Sequence, residues 1–209
     1  KRTYSDGQRQ EGEWLEGGFV QPISAEQRKG CLQGDCMNGF GVYRFQQGDR
    51  YEGTFVDGKP EGHGIVLYQN GDRYEGEFSA GTRHGKGGFM FANGDTFEGT
   101  FSDGEMQGTG VFTFASGHLY EGDYVGGLWH GKGELTLANG DVYQGDFVEG
   151  RRHGKGLYTF SSGNVYEGSF ADDKMHGEGI FTYSNGDRYV GTFADGLQNG
   201  PGVIHYVDG

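Results

Sequence analysis

The sequence predicts an all-β protein: an elongated, twisted, single-layer antiparallel meander built from about nine 23-residue β-hairpin repeats. Three observations support this fold class: a phrase repeated at fixed spacing, apolar residues at alternate positions, and turn dipeptides between the repeats. The phrase has the form YEGxF, and its first aromatic residue falls at Tyr51, Tyr74, Phe97, Tyr120, Tyr143, Tyr166 and Tyr189. A fixed period of this length indicates an array of units that cannot bury a core alone.

Alternation within a unit predicts two short strands. In the first strand Tyr74, Gly76 and Phe78 share one face, while Glu75 and Glu77 take the other. The second strand contains the phrase HGKGGF, in which Gly85, Gly87 and Phe89 share one face. Two such strands joined by a turn that contains glycine make a β-hairpin.

Asn-Gly dipeptides separate consecutive units and predict that these connections are hairpins as well. Asn-Gly tolerates the positive φ angles of a type I′ turn, which is therefore the turn type expected here. The dipeptides are Asn70-Gly71, Asn93-Gly94, Asn139-Gly140 and Asn185-Gly186. With hairpins inside and between units, the whole chain reads as one antiparallel meander.

Glycines fall on the same face as the aromatic residues, which predicts close contact between a ring and a neighbouring backbone. Glycine weakens a strand unless something approaches it closely. We therefore expect a Tyr or Phe ring of one strand to lie over a glycine of the next. Fourteen rings form this aromatic ladder, and most of them are expected to be core, the alternative being that the ladder lines an apolar groove for a protein partner. They are Tyr51, Phe55, Tyr74, Phe78, Phe97, Phe101, Tyr120, Tyr124, Tyr143, Phe147, Tyr166, Phe170, Tyr189 and Phe193.

The repeat pattern divides the chain into a cap and an array. Residues 1–27 are interpreted as a degenerate N-terminal repeat or cap, since terminal repeats are often atypical. Residues 28–209 form the array, in which 28–50 is degenerate and 51–209 holds seven regular repeats. Because the chain begins at Lys1 rather than Met, it is interpreted as part of a longer protein.

Composition and charge restrict the function. With 17 basic and 30 acidic residues the net charge is −13, which argues against nucleic-acid binding and disfavours anionic lipid. No apolar stretch is long enough to span a membrane, and no signal peptide is recognised. Two cysteines do not make the disulfide framework of a secreted domain, which favours a reducing, cytoplasmic compartment.

The pattern offers no catalytic group. His84, His130, His153 and His176 occupy one repeat position, and adjacent units should place them about 10 Å apart, too far to share a metal. These histidines are expected to bond to turn backbone. The stripe of glutamates that includes Glu52 is expected to pair across strands with lysines such as Lys86. The chain is predicted not to be an enzyme and to need no cofactor.

Cys31 and Cys36 are the single non-repeated metal candidates. Their spacing lies at the outer limit for zinc ligands, but two further ligands are missing nearby. By alternation Cys31 is expected to point away from the aromatic face. Zinc binding is therefore an alternative to the absence of any metal.

Partner selection is expected where the units differ, at the position before the histidine. That position reads Met37, Pro60, Arg83, Met106, Trp129, Arg152, Met175 and Gln198. Because interfaces favour Trp, Met and Arg, Met106, Trp129, Arg152 and Met175 are the predicted partner-binding residues. The alternative for Trp129 is that its ring folds onto its own turn.

The last strand, predicted over residues 203–207, has no successor to pair with. An exposed β edge is a template for pairing, and the simplest closed solution is a two-fold dimer. We therefore predict a homodimer through the C-terminal end. Its interface residues are Val203, Ile204, Tyr206 and Val207.

The pattern YEGxFxxGxxHGxGxxxxxxGD resembles the MORN (membrane occupation and recognition nexus) repeat, well over residues 28–209 and loosely over 1–27. The chain looks most like the MORN-only scaffold proteins of the apicomplexan and kinetoplastid cytoskeleton. This resemblance implies a rod that binds cytoskeletal or membrane-associated proteins and lies in the cytoplasm at the cytoskeleton. Attachment to membrane phospholipids is the alternative function that the family name carries.

Overall fold

The structure is a computed structural model that describes residues 2–3, 9–10, 14–15, 18–19 and 30–207. Upstream, strand β1 (Arg2–Thr3) pairs with β2 (Arg9–Gln10), and β3 (Trp14–Leu15) pairs with β4 (Gly18–Phe19). These pairs are separate from the main sheet. Most of the cap predicted for residues 1–27 lies outside the described residues.

The main sheet contains sixteen strands in sequential antiparallel order, from β5 at one edge to β20 at the other. This order confirms the predicted single-layer meander, and residues 30–207 contain no helix. The strands are β5 (Cys31–Gly34), β6 (Phe40–Arg44), β7 (Arg50–Val56), β8 (Lys59–Leu67), β9 (Arg73–Ser79), β10 (Thr82–Met90), β11 (Thr96–Ser102), β12 (Glu105–Thr113), β13 (Leu119–Val125), β14 (Leu128–Thr136), β15 (Val142–Val148), β16 (Arg151–Thr159), β17 (Val165–Ala171), β18 (Lys174–Thr182), β19 (Arg188–Ala194) and β20 (Leu197–His205).

Two turn types alternate along the sheet. The type I′ turns lie within the units, whereas the sequence predicted them between the units. Within a unit, both residues of the two-residue turn have positive φ, as at Asp57 (49°) and Gly58 (74°). In the turns between units only the glycine has a positive φ, as at Gly71 (95°). The Gly71 N–H donates to the Tyr68 carbonyl at 3.0 Å. The type I′ prediction for Asn-Gly was wrong, because these connections are three-residue loops with a left-handed glycine.

A hydrogen-bonded ladder joins successive inter-unit turns and explains the aspartate of Asn-Gly-Asp. The side chain that follows the glycine accepts the backbone N–H at the start of the next turn, as Asp72 Oδ1 does from Ala92 at 2.8 Å. His118 Nδ1 and Asn164 Oδ1 replace the carboxylate in two units. The seven acceptors are Asp49, Asp72, Asp95, His118, Asp141, Asn164 and Asp187.

The predicted core is confirmed: all fourteen rings are buried. The first ring of each regular unit meets a glycine of the neighbouring strand, so that a Cβ added to Gly87 would lie 2.6 Å from Tyr74 Cε2. The rings pack edge to face, and Tyr74 contacts Phe78 and Phe101 at centroid distances of 5.2 and 5.1 Å. The Tyr74 hydroxyl donates to the Glu77 carbonyl at 2.9 Å. Burial raises the pKa of Tyr74 to about 12, so this phenol stays neutral.

Candidate functional site

A second row of apolar side chains runs beside the core on the same face, and most of its members are half-buried. We call it the outer row. Phe91 stacks obliquely on Phe89 and Phe112, with ring centroids 4.5 and 5.6 Å apart. Because residues 30–207 form a single layer, this row remains open to solvent. Its members are Tyr43, Phe45, Tyr68, Phe89, Phe91, Phe112, Phe114, Leu135, Leu137, Tyr158, Phe160, Phe181 and Tyr183.

The four predicted partner-binding residues lie in equivalent places on alternate strands. Each stands opposite the second core ring of its own unit, as Met106 stands opposite Phe101 and Met175 opposite Phe170. All four are half-buried. We call this the cap position, because its side chains cover the core rings. Whether these residues contact a partner stays a prediction.

Trp129 packs into the aromatic core rather than onto its own turn. Its ring stacks on Tyr120 at 4.3 Å with an interplanar angle of 9°. Its edges contact Phe147 at 5.8 Å and Phe114 at 6.0 Å. The alternative interpretation, that the Trp129 ring folds onto its own turn, is therefore wrong. The ring instead makes contacts across three strands. A truncation of this ring would also disturb the core.

The two arginines at the cap position combine stacking with hydrogen bonds. The Arg152 guanidinium lies 5.3 Å from the Tyr158 ring centroid and donates from Nε to Asp173 Oδ1 at 3.1 Å. Arg83 lies 5.1 Å from the Phe89 ring and donates to the Gly104 carbonyl at 2.6 Å. Planar guanidinium groups suit such sites, since they stack and donate at once. Both arginines therefore extend the apolar face while keeping charge at its border.

The unit that begins at Tyr120 departs from the repeat at several positions together. Tyr124 replaces the phenylalanine found in the other regular units, and its hydroxyl is buried without a hydrogen-bond partner in the described structure. The cap residue facing it is Trp129. Leu135 and Leu137 replace outer-row rings. These departures coincide in one unit and set it apart from the rest of the array.

The C-terminal edge of the sheet is β20, which is exposed along its whole length. Ile204 stands opposite Tyr189 on the aromatic face and is 45% exposed, whereas Val203 stands opposite Val190 on the other face. The last strand was predicted over residues 203–207, whereas β20 runs over Leu197–His205, so the predicted strand began and ended too late in the chain. Tyr206 and Val207 follow it, and the Val207 N–H donates to Asp187 Oδ1 at 3.0 Å.

The two cysteines form a disulfide, with Cα atoms 5.9 Å apart. Cys36 is buried in the core, and Cys31 packs against it, so the expectation that Cys31 points away was wrong. Sulfur binds zinc as a free thiolate, which a disulfide does not supply. Residues 30–207 contain no group of three or more His, Cys, Asp or Glu side chains that could hold a metal. Zinc at Cys31 and Cys36 stays a prediction for the reduced pair alone.

The histidines do not make the predicted backbone bonds. Within residues 30–207, side-chain hydrogen bonds at this position come from the residues that replace histidine. Glu61 accepts the Ala80 N–H at 2.8 Å, and Gln107 accepts the Gly126 N–H at 3.1 Å. These longer side chains carry oxygens that reach the next turn. The imidazoles of His84, His130, His153 and His176 form no such bond with a described residue, and all but His130 are exposed.

The glutamates and lysines do not pair as predicted. Lys132 Nζ contacts Asp146 at 2.5 Å, and Lys155 Nζ contacts the Ser169 hydroxyl at 2.9 Å. The register explains the difference, since Lys86 stands opposite Thr100 rather than opposite a glutamate.

Among the described residues, a search for helices with the length and hydropathy of a membrane span finds none.

Comparison with protein-family models identifies eight consecutive MORN repeats. They match residues 30–50, 51–73, 74–96, 97–119, 120–142, 143–165, 166–188 and 189–209. Together they cover more than half of the chain, so the chain belongs to the MORN repeat family. A comparison with curated proteins finds no match to this sequence.

Solved structures that are similar to this chain include two TCP domains. The TCP10 domain of Danio rerio CPAP, in complex with a peptide of Danio rerio STIL, is 17% identical, with 74% of this chain and 70% of that chain covered and a TM-score of 0.48. The SAS-4 (dCPAP) TCP domain of Drosophila melanogaster, in complex with a proline-rich motif of Ana2 (dSTIL), is also 17% identical. It covers 92% of this chain and 98% of that chain, with a TM-score of 0.44.

Proposed function

We propose that this MORN chain is a non-enzymatic scaffold, a rod that binds partner proteins and self-associates to organise cytoskeletal or membrane-associated structures in the cytoplasm. The observation that carries the proposal is the outer row of half-buried aromatic rings on a sheet with one layer. Large exposed apolar patches mark interaction sites. The repeated turns and core account for the fold, which leaves this open face for binding.

The Tyr120 unit is the proposed centre of partner recognition. Trp129 joins the core to the outer row through its contacts with Tyr120 and Phe114. Tyr124 buries a hydroxyl where the other regular units have phenylalanine, and residues that depart from a repeat in this way often serve function. Aromatic residues near the middle of an interface tend to dominate the binding energy.

A double substitution to the residues of neighbouring units tests this proposal. Tyr124→Phe together with Trp129→Met gives the Tyr120 unit the Phe–Met pair already present as Phe101 and Met106. We expect the variant to stay folded with a lower midpoint of urea denaturation, because methionine loses the stack on Tyr120 but still covers the core ring, as Met106 does. Affinity capture from cell extract, quantified by mass spectrometry, should lose at least about tenfold of its specific partner proteins.

Gln198→Ala, at the same position in the last unit and outside the four predicted partner-binding residues, is the control and should retain capture. Equal capture by the double variant and the wild type would contradict the proposed centre of recognition. Loss of capture in both variants would place recognition elsewhere along the cap position.

Self-association is proposed through β20, whose outer edge is unpaired in the sheet and carries the apolar Val203 and Ile204. Two copies of this edge, meeting antiparallel, would continue the aromatic face from one rod into the next. Tyr206 and Val207 border the same seam just past the strand.

Ile204→Lys tests the dimer, since it places a charge at the seam and keeps the strand. We expect the wild type to have the mass of a dimer at micromolar concentration and the variant that of a monomer, as measured by light scattering during chromatography. Leu67→Lys, on the interior strand β8 and 39% exposed in the wild type, should stay dimeric. A monomeric wild type, or a dimeric Ile204→Lys protein, would refute the end-to-end arrangement.

A further inference from the structure

Four turns between units carry the same Asn-Gly-Asp sequence, and they share two hydrogen bonds. The asparagine Oδ1 accepts the backbone N–H of the aspartate two residues on, at 3.0–3.1 Å. The glycine N–H donates to the carbonyl three residues earlier, at 2.9–3.0 Å. The four turns contain Asn70, Asn93, Asn139 and Asn185. Two further Asn-Gly pairs, at Asn38 and Asn199, lie within units and are not matched to these turns.

A third hydrogen bond holds the asparagine side chain in three of these turns. The asparagine Nδ2 donates to Oδ2 of the following aspartate at 2.8 Å in the turns of Asn70, Asn93 and Asn185. We call this bond the amide clamp. Asn139 Nδ2 makes no bond this short with a described residue. The Asn139 side chain is therefore held mainly through its oxygen, whereas the other three are held at both ends of the amide.

The amide clamp is missing at Asn139 because a tyrosine of the next unit takes its acceptor. Oδ2 of Asp141 accepts the Tyr158 hydroxyl at 2.8 Å. The Asn139 amide lies near this carboxyl and lowers its pKa, but less than the Ser161 N–H and then the Tyr158 hydroxyl do. In the three clamped turns the residues equivalent to Tyr158 carry no hydroxyl. They are Phe89, Phe112 and Ile204.

The freedom of the Asn139 side chain matters because asparagine before glycine can deamidate, since glycine has no side chain to hinder its nitrogen. The Gly140 nitrogen would form a bond to Asn139 Cγ, and its proton would pass to the side-chain nitrogen. The Cγ–Nδ2 bond would then break and release ammonia. Water opens the resulting cyclic imide and leaves aspartate or isoaspartate at position 139. The amide clamp opposes this reaction, because Cγ must move to reach the glycine nitrogen.

We propose that Asn139 is a site of spontaneous deamidation, and the preferred one among the four Asn-Gly-Asp turns between units. Its side chain is exposed to water and lacks the amide clamp. The product carries a new negative charge, and isoaspartate also adds a carbon to the backbone of the loop. Both changes fall two residues from Asp141, the buried acceptor of the Tyr158 hydroxyl, and should loosen the ladder at this turn. This modification is independent of the binding proposed for the aromatic face.

Two turns of identical local sequence provide the comparison, since both Asn93 and Asn139 lie within Ala-Asn-Gly-Asp. The complete chain is incubated at neutral pH and body temperature, and conversion of each asparagine is measured by mass spectrometry of proteolytic peptides. We expect Asn139 to convert at least about fivefold faster than Asn93, because a hydrogen bond to a charged group restrains only Asn93. In guanidinium chloride the two should convert at equal rates. Equal rates in the folded protein would overturn the proposal.

Two reciprocal substitutions exchange the environments of these asparagines. Tyr158→Phe frees Asp141 Oδ2 to accept the Asn139 amide, so conversion of Asn139 should fall to the wild-type rate of Asn93. Phe112→Tyr places a hydroxyl beside Asp95 and should speed conversion of Asn93 at least about threefold. Hydrogen exchange checks that both variants are folded, and Phe112→Tyr serves alone if Tyr158→Phe is not. Rates that do not respond to the hydroxyl would contradict control by the amide clamp.

Discussion

Gly87→Ala is expected to destabilise the array by about 2–3 kcal/mol, because its new methyl group has no space. A Cβ on Gly87 would lie 2.6 Å from Tyr74 Cε2 and 2.7 Å from Tyr74 Cζ. The Tyr74 ring cannot move aside, since Phe78 and Phe101 hold it edge to face. The backbone cannot move either, since Gly87 stands opposite Gly76 and Gly99 at the closest approach of three strands.

Gly88→Ala is the matched control on the adjacent residue. Its Cβ would point to the opposite face, where the nearest atom is the Phe97 carbonyl oxygen at 3.8 Å. We expect it to be neutral or to stabilise by up to about 1 kcal/mol, since alanine restricts the unfolded chain. Urea denaturation and hydrogen exchange of β9 to β11 measure both effects. Equal stability of the two variants would mean that the ring does not rest on the glycine.

Period and alternation were enough to predict the sheet, its order and its core. These two signals were enough because every regular unit buries equivalent rings against equivalent glycines. The contact between Tyr74 and Gly87 therefore has a counterpart in each regular repeat. Turn type was not predictable, since Asn70-Gly71 satisfies both a type I′ turn and a three-residue loop with a left-handed glycine. In the three-residue loop Asp72 accepts the Ala92 N–H of the next turn, a contact 20 residues away that the local sequence does not reveal.

The departures from the repeat were harder to interpret from sequence. Trp129 stood out as a large residue in a turn, but its contact with Tyr120 depends on the register between β13 and β14. Tyr124 was missed because tyrosine and phenylalanine are equivalent in an apolar pattern. The difference was visible in the sequence, since the other regular units have phenylalanine at the position of Tyr124. The pairing of Cys31 with Cys36 depends on how the edge strand β5 turns, which spacing alone does not fix.

Asp141→Ala is expected to have the second large effect, a loss of about 2–3 kcal/mol. Asp141 is the one buried polar or charged residue in the described part of the chain, at 9% exposure. Its Oδ1 accepts the Ser161 N–H and its Oδ2 accepts the Tyr158 hydroxyl, both at 2.8 Å. Alanine would leave the buried Tyr158 hydroxyl without this partner, which is costly, and would also remove the acceptor of the Ser161 N–H in an exposed turn.

Asp95→Ala is the control at the same ladder position. Asp95 accepts the Ala115 N–H at 2.8 Å but has no buried phenol beside it. We therefore expect a loss of only about 1 kcal/mol there, seen as a smaller shift of the urea midpoint. A loss at Asp95 as large as that at Asp141 would show that the ladder bond, and not the Tyr158 contact, dominates.

The same site gives a pH dependence with a definite sign. Hydrogen bonds from the Ser161 N–H and then the Tyr158 hydroxyl lower the pKa of Asp141 from its ordinary 3.8 to about 2. Because the folded value is the lower one, the stability due to ionised Asp141 is complete above about pH 4 and is lost as the pH falls through 2. The wild type should exceed Asp141→Asn in stability by a constant margin from pH 7 to pH 4, and that margin should shrink below pH 4. A margin that stays constant down to pH 2 would show that the ionisation of Asp141 does not contribute to it.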